Sequence, residues 1–305
     1  MTSALVLGST IFDIAFYLDR APTIGTSLIA TGSARSLGGK GYNQAVALRR
    51  LGLDVALVTG LGTDVFGEMF EQACAAQAID LPAPVVADVP TGIAAPLISP
   101  DGTSTIVVDM AASDQVSDAD VVAALASGTW DVVVAQNEFS VSGLEAAAEW
   151  CARTGTRFVF SPAPWRSESA DVVRRADLLI LNEVEAGELL DEFATARPEP
   201  AHDLATACLA AVGNGSVIVT LGAEGAVGND GNGAVRAAAF PVEPVDTTGA
   251  GDAFTAAAAM TFAAGRDLAT QLRYGCAAGA IACTRRGSGP SMPGLAELEA
   301  LAESR

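Results

Sequence analysis

The 305-residue chain has one histidine, one lysine and no closely spaced cysteines, and each scarcity removes a class of chemistry. A lone His202 cannot build a histidine-clustered metal site, and it argues against a Ser-His-Asp hydrolase. The five cysteines, Cys74, Cys151, Cys208, Cys276 and Cys283, contain no C-x-x-C pair, so they are expected as reduced, buried thiols. No apolar run reaches the roughly 18 residues that a membrane span requires. Met1-Thr2-Ser3 leads into the strand-like Ala4-Leu5-Val6-Leu7 without a basic segment, so a soluble, cytoplasmic protein is expected. Basic residues are few: 17 Lys and Arg stand against 36 Asp and Glu, a formal net charge of −19. That field disfavours nucleic acid and acidic membrane surfaces as partners. It still admits a small polyphosphate, because salt screens distant charges within about 10 Å and a few local donors then decide.

Half of the residues are hydrophobic and 17% are charged, so a sizeable core can be buried. The length suits one large α/β domain with an appendage. Strand-like runs at Ala4 to Gly8, Val55 to Thr59, Val132 to Ala135, Phe158 to Ser161, Leu178 to Leu181 and Val217 to Thr220 alternate with helical periods. The helices are expected at Gly41 to Leu51, Phe66 to Gln77, Ser117 to Leu125, Val141 to Arg153, Glu168 to Arg174, Glu183 to Leu190 and Asp203 to Val212. This alternation predicts a doubly wound, mostly parallel sheet covered by helices on both faces. A β pair around Ala226 to Phe240, turned at Gly228-Asn229-Asp230-Gly231, and a helix at Ala269 to Thr284 complete the plan. Two β-rich intervals interrupt it. The first carries extended runs at Ile14 to Leu18 and Ser27 to Thr31; the second is a hairpin turned at Ser99-Pro100-Asp101-Gly102. Residues 11–36 and 91–110 are therefore expected as a β lid over the carboxyl ends of the parallel strands, with 1–10, 37–90 and 111–305 as the α/β domain.

The stretch around which the chain is organised is Asp246-Thr247-Thr248-Gly249-Ala250-Gly251-Asp252, just before an alanine-rich run of strong helix formers. A helix beginning near Ala250 leaves its first N–H groups unpartnered and presents the positive end of its dipole, which favours an anion. Asp252 in the first turn can face the same spot and serve as a base for a hydroxyl attacking a phosphoryl group. An ordinary helix start, with Thr248 as N-cap and Asp252 answering the dipole, would use the same residues. The single lysine, Lys40, falls inside Gly38-Gly39-Lys40-Gly41-Tyr42-Asn43-Gln44-Ala45. It is followed by glycine rather than Ser or Thr, so this is no Walker A loop, and Phe254 occupies the third glycine position of a dinucleotide fingerprint.

These two stretches resemble the two signatures of the ribokinase (PfkB) family of carbohydrate kinases. The resemblance extends through Gly8-Ser9 and Asp13, Asn182-Glu183-Val184-Glu185, Thr220-Leu221-Gly222-Ala223-Glu224-Gly225 and Thr284-Arg285-Arg286-Gly287-Ser288-Gly289-Pro290-Ser291, in the family's order. It implies an ATP-dependent kinase acting on the primary hydroxyl of a ribose-like pentose or related furanose. In that reading Asp252 is the base, and Gly249, Ala250 and Gly251 supply N–H groups to the charge developing on the γ-phosphate. Thr220, Gly222 and Gly225 belong to the nucleotide turn. Asn182 and Glu185 orient Mg²⁺ through water, or simply cap a helix. Asp13, Gly39, Lys40, Asn43 and Glu138 match positions that bind sugar hydroxyls; Asp13 and Glu138 could equally be surface carboxylates at strand ends.

Ile11, two residues before Asp13, stands where ribokinases usually carry asparagine, and Tyr42 replaces a small residue. Both departures leave ribose open and admit a nucleoside kinase in which Ile11 and Tyr42 pack against a base. A catalytically dead sugar or nucleotide sensor of the same fold is the reading from another class, and the intact Asp252 turn argues against it. The resemblance further implies a K⁺ loop formed by Asp246, Thr248, Ala282, Arg285, Gly287 and Ser291, unless Asp246 caps its own turn and pairs with Arg285 or Arg286. Exposed edges in a lid sheet suggest a homodimer through the lid.

Overall fold

A computed structural model describes residues 2–82, 85–100 and 104–304. In chain order, β1 (Ser3–Leu7) enters the core, followed by β2 (Ile11–Tyr17), β3 (Gly32–Gly38), α1 (Lys40–Arg50), β4 (Asp54–Val58), β5 (Gly60–Gly62) and α2 (Val65–Ala76). Next come β6 (Ile79–Asp80), β7 (Val85–Ala87), β8 (Gly92–Ile98), β9 (Ser104–Asp109), α3 (Asp118–Ala126), β10 (Val132–Gln136), α4 (Val141–Thr154) and β11 (Arg157–Ser161). The second half carries α5 (Ala170–Val173), β12 (Leu178–Asn182), α6 (Glu183–Glu192), α7 (Leu204–Val212), β13 (Ser216–Thr220), β14 (Ala226–Asn229) and β15 (Ala234–Ala237). Four helices end it: α8 (Ala250–Ala263), α9 (Leu268–Cys283), α10 (Ser288–Ser291) and α11 (Leu295–Ala302).

Nine strands form the main sheet in the order β15-β14-β13-β12-β11-β10-β1-β4-β6, antiparallel only at β14 and β15. Its parallel strands are apolar throughout because helices cover both faces. Side chains alternate across the sheet: Val6, Leu57, Val134 and Ile218 face α1, α8 and α9, while Leu5, Val133, Phe158 and Leu179 face α3, α4, α6 and α7. The alanines of α8 bring that helix close to the sheet and to α9, where Gly275 makes room for the Phe254 ring. β1 lies between β10 and β4, so the chain leaves it in one direction first and the other later. Crevices at such switch points, beyond the carboxyl ends of the strands, are where open α/β sheets take ligands.

The doubly wound sheet expected from the sequence is present, and a separate four-stranded sheet, β3-β2-β8-β9, stands apart from it. The extended run expected at Ser27 to Thr31 is not a strand. The partner of β2 is instead Gly32–Gly38, whose small and polar residues show no apolar alternation. β2 also pairs in parallel with β8, a long-range match that no local pattern announces. The helix expected at Glu168 to Arg174 shrinks to a 3₁₀ turn and the four residues of α5. The final β turn falls two residues later than expected, where the Asn229 and Asp230 side chains accept from the N–H groups of Gly231 and Asn232. Part of the Ser99-Pro100-Asp101-Gly102 turn lies outside the described residues. Among the described residues no helix is long and apolar enough to cross a membrane.

Candidate active site

The starts of α1 and α8 meet in one cleft beyond the carboxyl ends of β11, β12 and β13. Gly39 precedes α1 at φ 89°, and a Cβ there would lie 2.8 Å from the backbone of Ser9 and Ile11, so only glycine allows this approach. Lys40 follows as the first helical residue. Its N–H donates to Glu138 Oε2 at 3.0 Å, its Nζ lies 4.0 Å from Glu138 Oε1, and the Ser9 hydroxyl donates to the same carboxylate. Gly249 precedes α8 at φ 80° without a side-chain cap; Thr248 is exposed and is not the N-cap. The Ala250 N–H turns back to the Thr247 carbonyl at 3.2 Å, and Ala253 donates to Gly249. The Gly251 and Asp252 N–H groups are therefore the ones left without a partner among the described residues.

Asp252 is buried and held from α1: Asn43 Nδ2 donates to Oδ2 at 2.9 Å and Gln44 Nε2 donates to Oδ1 at 3.0 Å. Burial pushes its carboxyl above the ordinary range against the pull of Lys40 and the two amides, and Glu138 adds to the rise. Asp13 on β2 is pushed up to about 7 by burial, then by the charges of Glu138 and Asp252, with Lys40 opposing. Glu185 is raised chiefly by burial. Burial works against the Lys40 ammonium, but Glu138, Asp252, Glu185 and Asp13 outweigh it and hold its pKa above the usual lysine value. The lone lysine is thus the one cation among four carboxylates.

The cleft is lined by Lys40, Ser161, Ile180, Asn182, Glu185, Thr220, Gly249, Gly251 and Asp252, among others. Residues expected on the acceptor, nucleotide and anion sides thus converge there, while Gly222 and Gly225 lie in the turn beyond Thr220, where Leu221 donates to the Gly225 carbonyl. Asn182 and Glu185 form a capping box: Asn182 Oδ1 accepts from the Glu185 N–H and Glu185 Oε2 from the Asn182 N–H, each at 2.9 Å. One oxygen of Glu185 and the amide nitrogen of Asn182 stay uncommitted at the cleft among the described residues. Tyr42 does not face the site. It packs edge-on against Phe70 and accepts from Gln77, so it cannot stack on a base. Ile11 is buried on the same face of β2 as Asp13.

Behind the start of α8, Asp246 Oδ1 accepts from the Thr248 N–H and Oδ2 from the Gly287 N–H, each at 2.9 Å. Burial opposes its charge, yet these bonds and the nearby Arg286 hold its carboxyl below the usual range. Arg285 pairs with Glu297 rather than with Asp246. The Ser291 hydroxyl donates to the Ser288 carbonyl and the Ala282 carbonyl accepts from the Arg285 N–H. Gln44 and Gln136 were not assigned a role from sequence. Both are buried amides, Gln136 at the end of β10 and Gln44 in the second turn of α1, and only the nearby Glu138 and Asn43 signalled them.

The model of the pfkB family of carbohydrate kinases matches residues 1–295, and the chain belongs to that family. It is an ATP-dependent sugar kinase. It is similar to the ribokinase of Bacillus subtilis, with 31% identity over 304 residues covering 99% of each chain. The structure of Arabidopsis thaliana ribokinase complexed with ribose and ATP superposes with a TM-score of 0.85 at 26% identity, covering 100% of both chains. The fold is shared as well with the Burkholderia thailandensis nucleoside kinase in complex with inosine, at a TM-score of 0.83 and 21% identity, covering 99% of this chain and 96% of that one.

Proposed function

We propose that this kinase transfers the γ-phosphate of ATP to the primary hydroxyl of a ribose-like pentose or related furanose. The observation that carries the reading is the position of Asp252: a buried carboxylate, oriented by two amides, beside free N–H groups at the start of α8 and in one cleft with Lys40. Asp252 accepts the hydroxyl proton as the oxygen attacks, and the Gly251 and Asp252 N–H groups with the dipole of α8 meet the charge that develops on the transferred phosphoryl group. Asp13 and Glu138 accept from adjacent sugar hydroxyls, while Lys40 and Asn43 fix others; the buried Asn43 Oδ1, without a partner among the described residues, is an acceptor available to a substrate O–H. The sheet β3-β2-β8-β9 acts as a lid that carries Asp13, and a second copy could cover its apolar edge strand β9, whose Ile106 and Val107 are exposed. The similarity to ribokinases, one of them holding ribose and ATP, supports a pentose. The inward packing of Tyr42 removes one of two contacts that a nucleoside base would have used.

Glu185 fits Mg²⁺ through water rather than directly, since one carboxylate oxygen is left over from the capping box to accept from a metal-bound water, and Asn182 Oδ1 has a second lone pair for another; the ion would neutralise the triphosphate. Thermal-shift and ATPase screening of pentoses, uridine, inosine and adenosine tests the acceptor; a larger shift with a nucleoside than with any free pentose would overturn the pentose. Asp252→Asn should keep ATP and sugar binding while lowering kcat by about 10²–10⁴. Turnover within threefold of the parent would remove Asp252 from its role. The oxygen-rich loop of Asp246, Thr248, Ala282, Arg285, Gly287 and Ser291 is proposed to bind K⁺ through carbonyls, because both Asp246 oxygens already accept N–H groups. A KCl titration in K⁺-free Tris should raise kcat, and equal rates in NaCl and choline chloride would sink the assignment.

A further inference from the structure

Gln136 ends β10 and Gln44 sits in the second turn of α1, and neither lines the cleft. They are nonetheless joined to it. Gln136 Nε2 donates to Gln44 Oε1 at 2.6 Å, and Gln44 Nε2 donates to Asp252 Oδ1 at 3.0 Å. We propose that these two glutamines are an amide relay of positioning residues, in which Gln136 locks the orientation of Gln44 so that Gln44 presents its NH₂ group, and never its carbonyl, to the catalytic carboxylate. This inference rests on the reading of Asp252 as the base.

The chemistry of the three groups leaves one consistent arrangement. An ionised carboxylate only accepts, so Gln44 must turn its NH₂ toward Asp252. Its carbonyl then faces the sheet and requires a donor, and Gln136 supplies one. Inverting either amide would set two oxygens against each other in a buried site. With Asn43 holding Oδ2, the Gln44 bond on Oδ1 fixes the plane of the carboxylate and leaves its remaining lone pairs for the substrate proton. Donors on both oxygens also favour the ionised form that a base requires.

Gln136 is a costly residue for the fold. Its Oε1 is buried with no hydrogen-bond partner among the described residues and lies against Gly8, where a Cβ would come within 2.0 Å of it. An unpaired buried carbonyl destabilises, so an apolar side chain of similar volume would suit the interior better. A glutamine retained there answers the need of Gln44 for a donor.

The test compares Gln44→Met, Gln136→Met, Gln136→Glu and the Gln44→Met/Gln136→Met double variant, with ATP and D-ribose or whichever pentose the screen turns over faster. Gln44→Met should lower kcat by about 10- to 100-fold, the scale for one hydrogen bond to a charged group, and should move the acidic limb of the kcat profile to higher pH. Gln136→Met should lower kcat less, shift the same limb in the same direction and leave Tm unchanged or raised. Gln136→Glu should cost at least as much as Gln44→Met, because the new carboxylate draws the Gln44 NH₂ away from Asp252. In the Gln44→Met background, Gln136→Met should have no further effect on kcat, since it acts only through Gln44. Additive losses, an unmoved pH limb or a fall in Tm that tracks the fall in kcat would overturn the relay. Asp252→Asn, assayed alongside, separates the two readings: an active Asp252→Asn removes the base, whereas an inactive one with additive glutamine variants removes only the relay.

Discussion

Helices α6 and α8 both begin at the rim of one cleft, yet their first turns are built in opposite ways. α6 opens on Asn182 and Glu185, whose side chains bond the backbone N–H groups of each other and so close the anion site that a helix start would otherwise offer. α8 opens on Gly249 in the left-handed region, no side chain caps it, and its donors face the place where Asp252 stands. α1 also opens on a glycine, Gly39, without a side-chain cap from the N-cap residue, but its Lys40 and Tyr42 N–H groups are taken by Glu138 Oε2 and the Ser9 carbonyl. α2, outside the cleft, follows the plan of α6, with Asp64 accepting from Phe66 and Gly67. Capping satisfies N–H groups for stability, and leaving them open keeps them for a ligand; at the cleft α6 is of the first kind and α8 of the second.

The difference can be broken most sharply at Gly249. A Cβ there would lie 2.9 Å from Met292 Cε and 3.0 Å from the Ser288 backbone, in a conformation that L residues rarely adopt. Gly249→Ala should therefore tilt the first turn of α8 and lower kcat by about 10²–10³, the scale of a lost oxyanion donor. It should also cost about 1–2 kcal/mol in urea unfolding from the left-handed backbone alone. A kcat within threefold of the parent would show that the N–H groups of this turn do not face the reacting phosphate.

Asp64→Ala reverses the pattern. Its carboxylate accepts from the N–H groups of Phe66, Gly67 and Thr91 and from the Thr91 hydroxyl, which hold it below the ordinary carboxyl range despite the opposing effect of burial. The variant should lose about 1–2 kcal/mol of stability, the scale of a missing N-cap, with kcat and KM for ATP unchanged. Because the folded pKa is depressed, this contribution is present above the unfolded value and is lost as pH falls; a stability difference that grew toward acid pH would contradict the assignment.

The smallest effect is expected at Asp13, where the sign is opposite. Its folded pKa of about 7 lies above the ordinary aspartate value of 3.8, so between those values the unfolded chain releases its proton first and rising pH favours unfolding. In the ligand-free protein Asp13→Asn should raise Tm relative to the parent at pH 8 more than at pH 4.5, while abolishing the sugar-induced shift. Equal Tm differences at both pH values would mean that burial and the neighbouring carboxylates do not press on Asp13 as the geometry indicates.

Much of this plan was legible locally. The βα alternation, the start of α8 within a residue and the capping potential of Asn182 and Glu185 all lie inside windows of a few residues, where periodicity and cap chemistry operate. The short strands β5 and β6 and the helix α11 were not foreseen; two- and three-residue strands carry no period and acquire their state from a neighbour. The second lid strand was misplaced for the same reason. Gly32–Gly38 is extended because β2 offers it a full antiparallel ladder, whereas the more strand-like run before it leaves Ile29 in solvent.

By itself, the sequence determined the class of the sheet, a glycine-opened helix start with a carboxylate in its first turn, and a single lysine set among glycines. Each depends on backbone propensity or on a side chain acting within one turn. The tertiary structure decided which groups meet. Asn43 and Gln44 reach Asp252 across 209 and 208 residues, and Gln136 reaches Gln44 across 92, because α1 packs beside α8 at the end of β10. It also turned Tyr42 into the core against Phe70 and committed both oxygens of Asp246 to backbone donors. Those outcomes depend on packing over the whole sheet, where burial and hydrogen-bond satisfaction select among arrangements that no local window can tell apart.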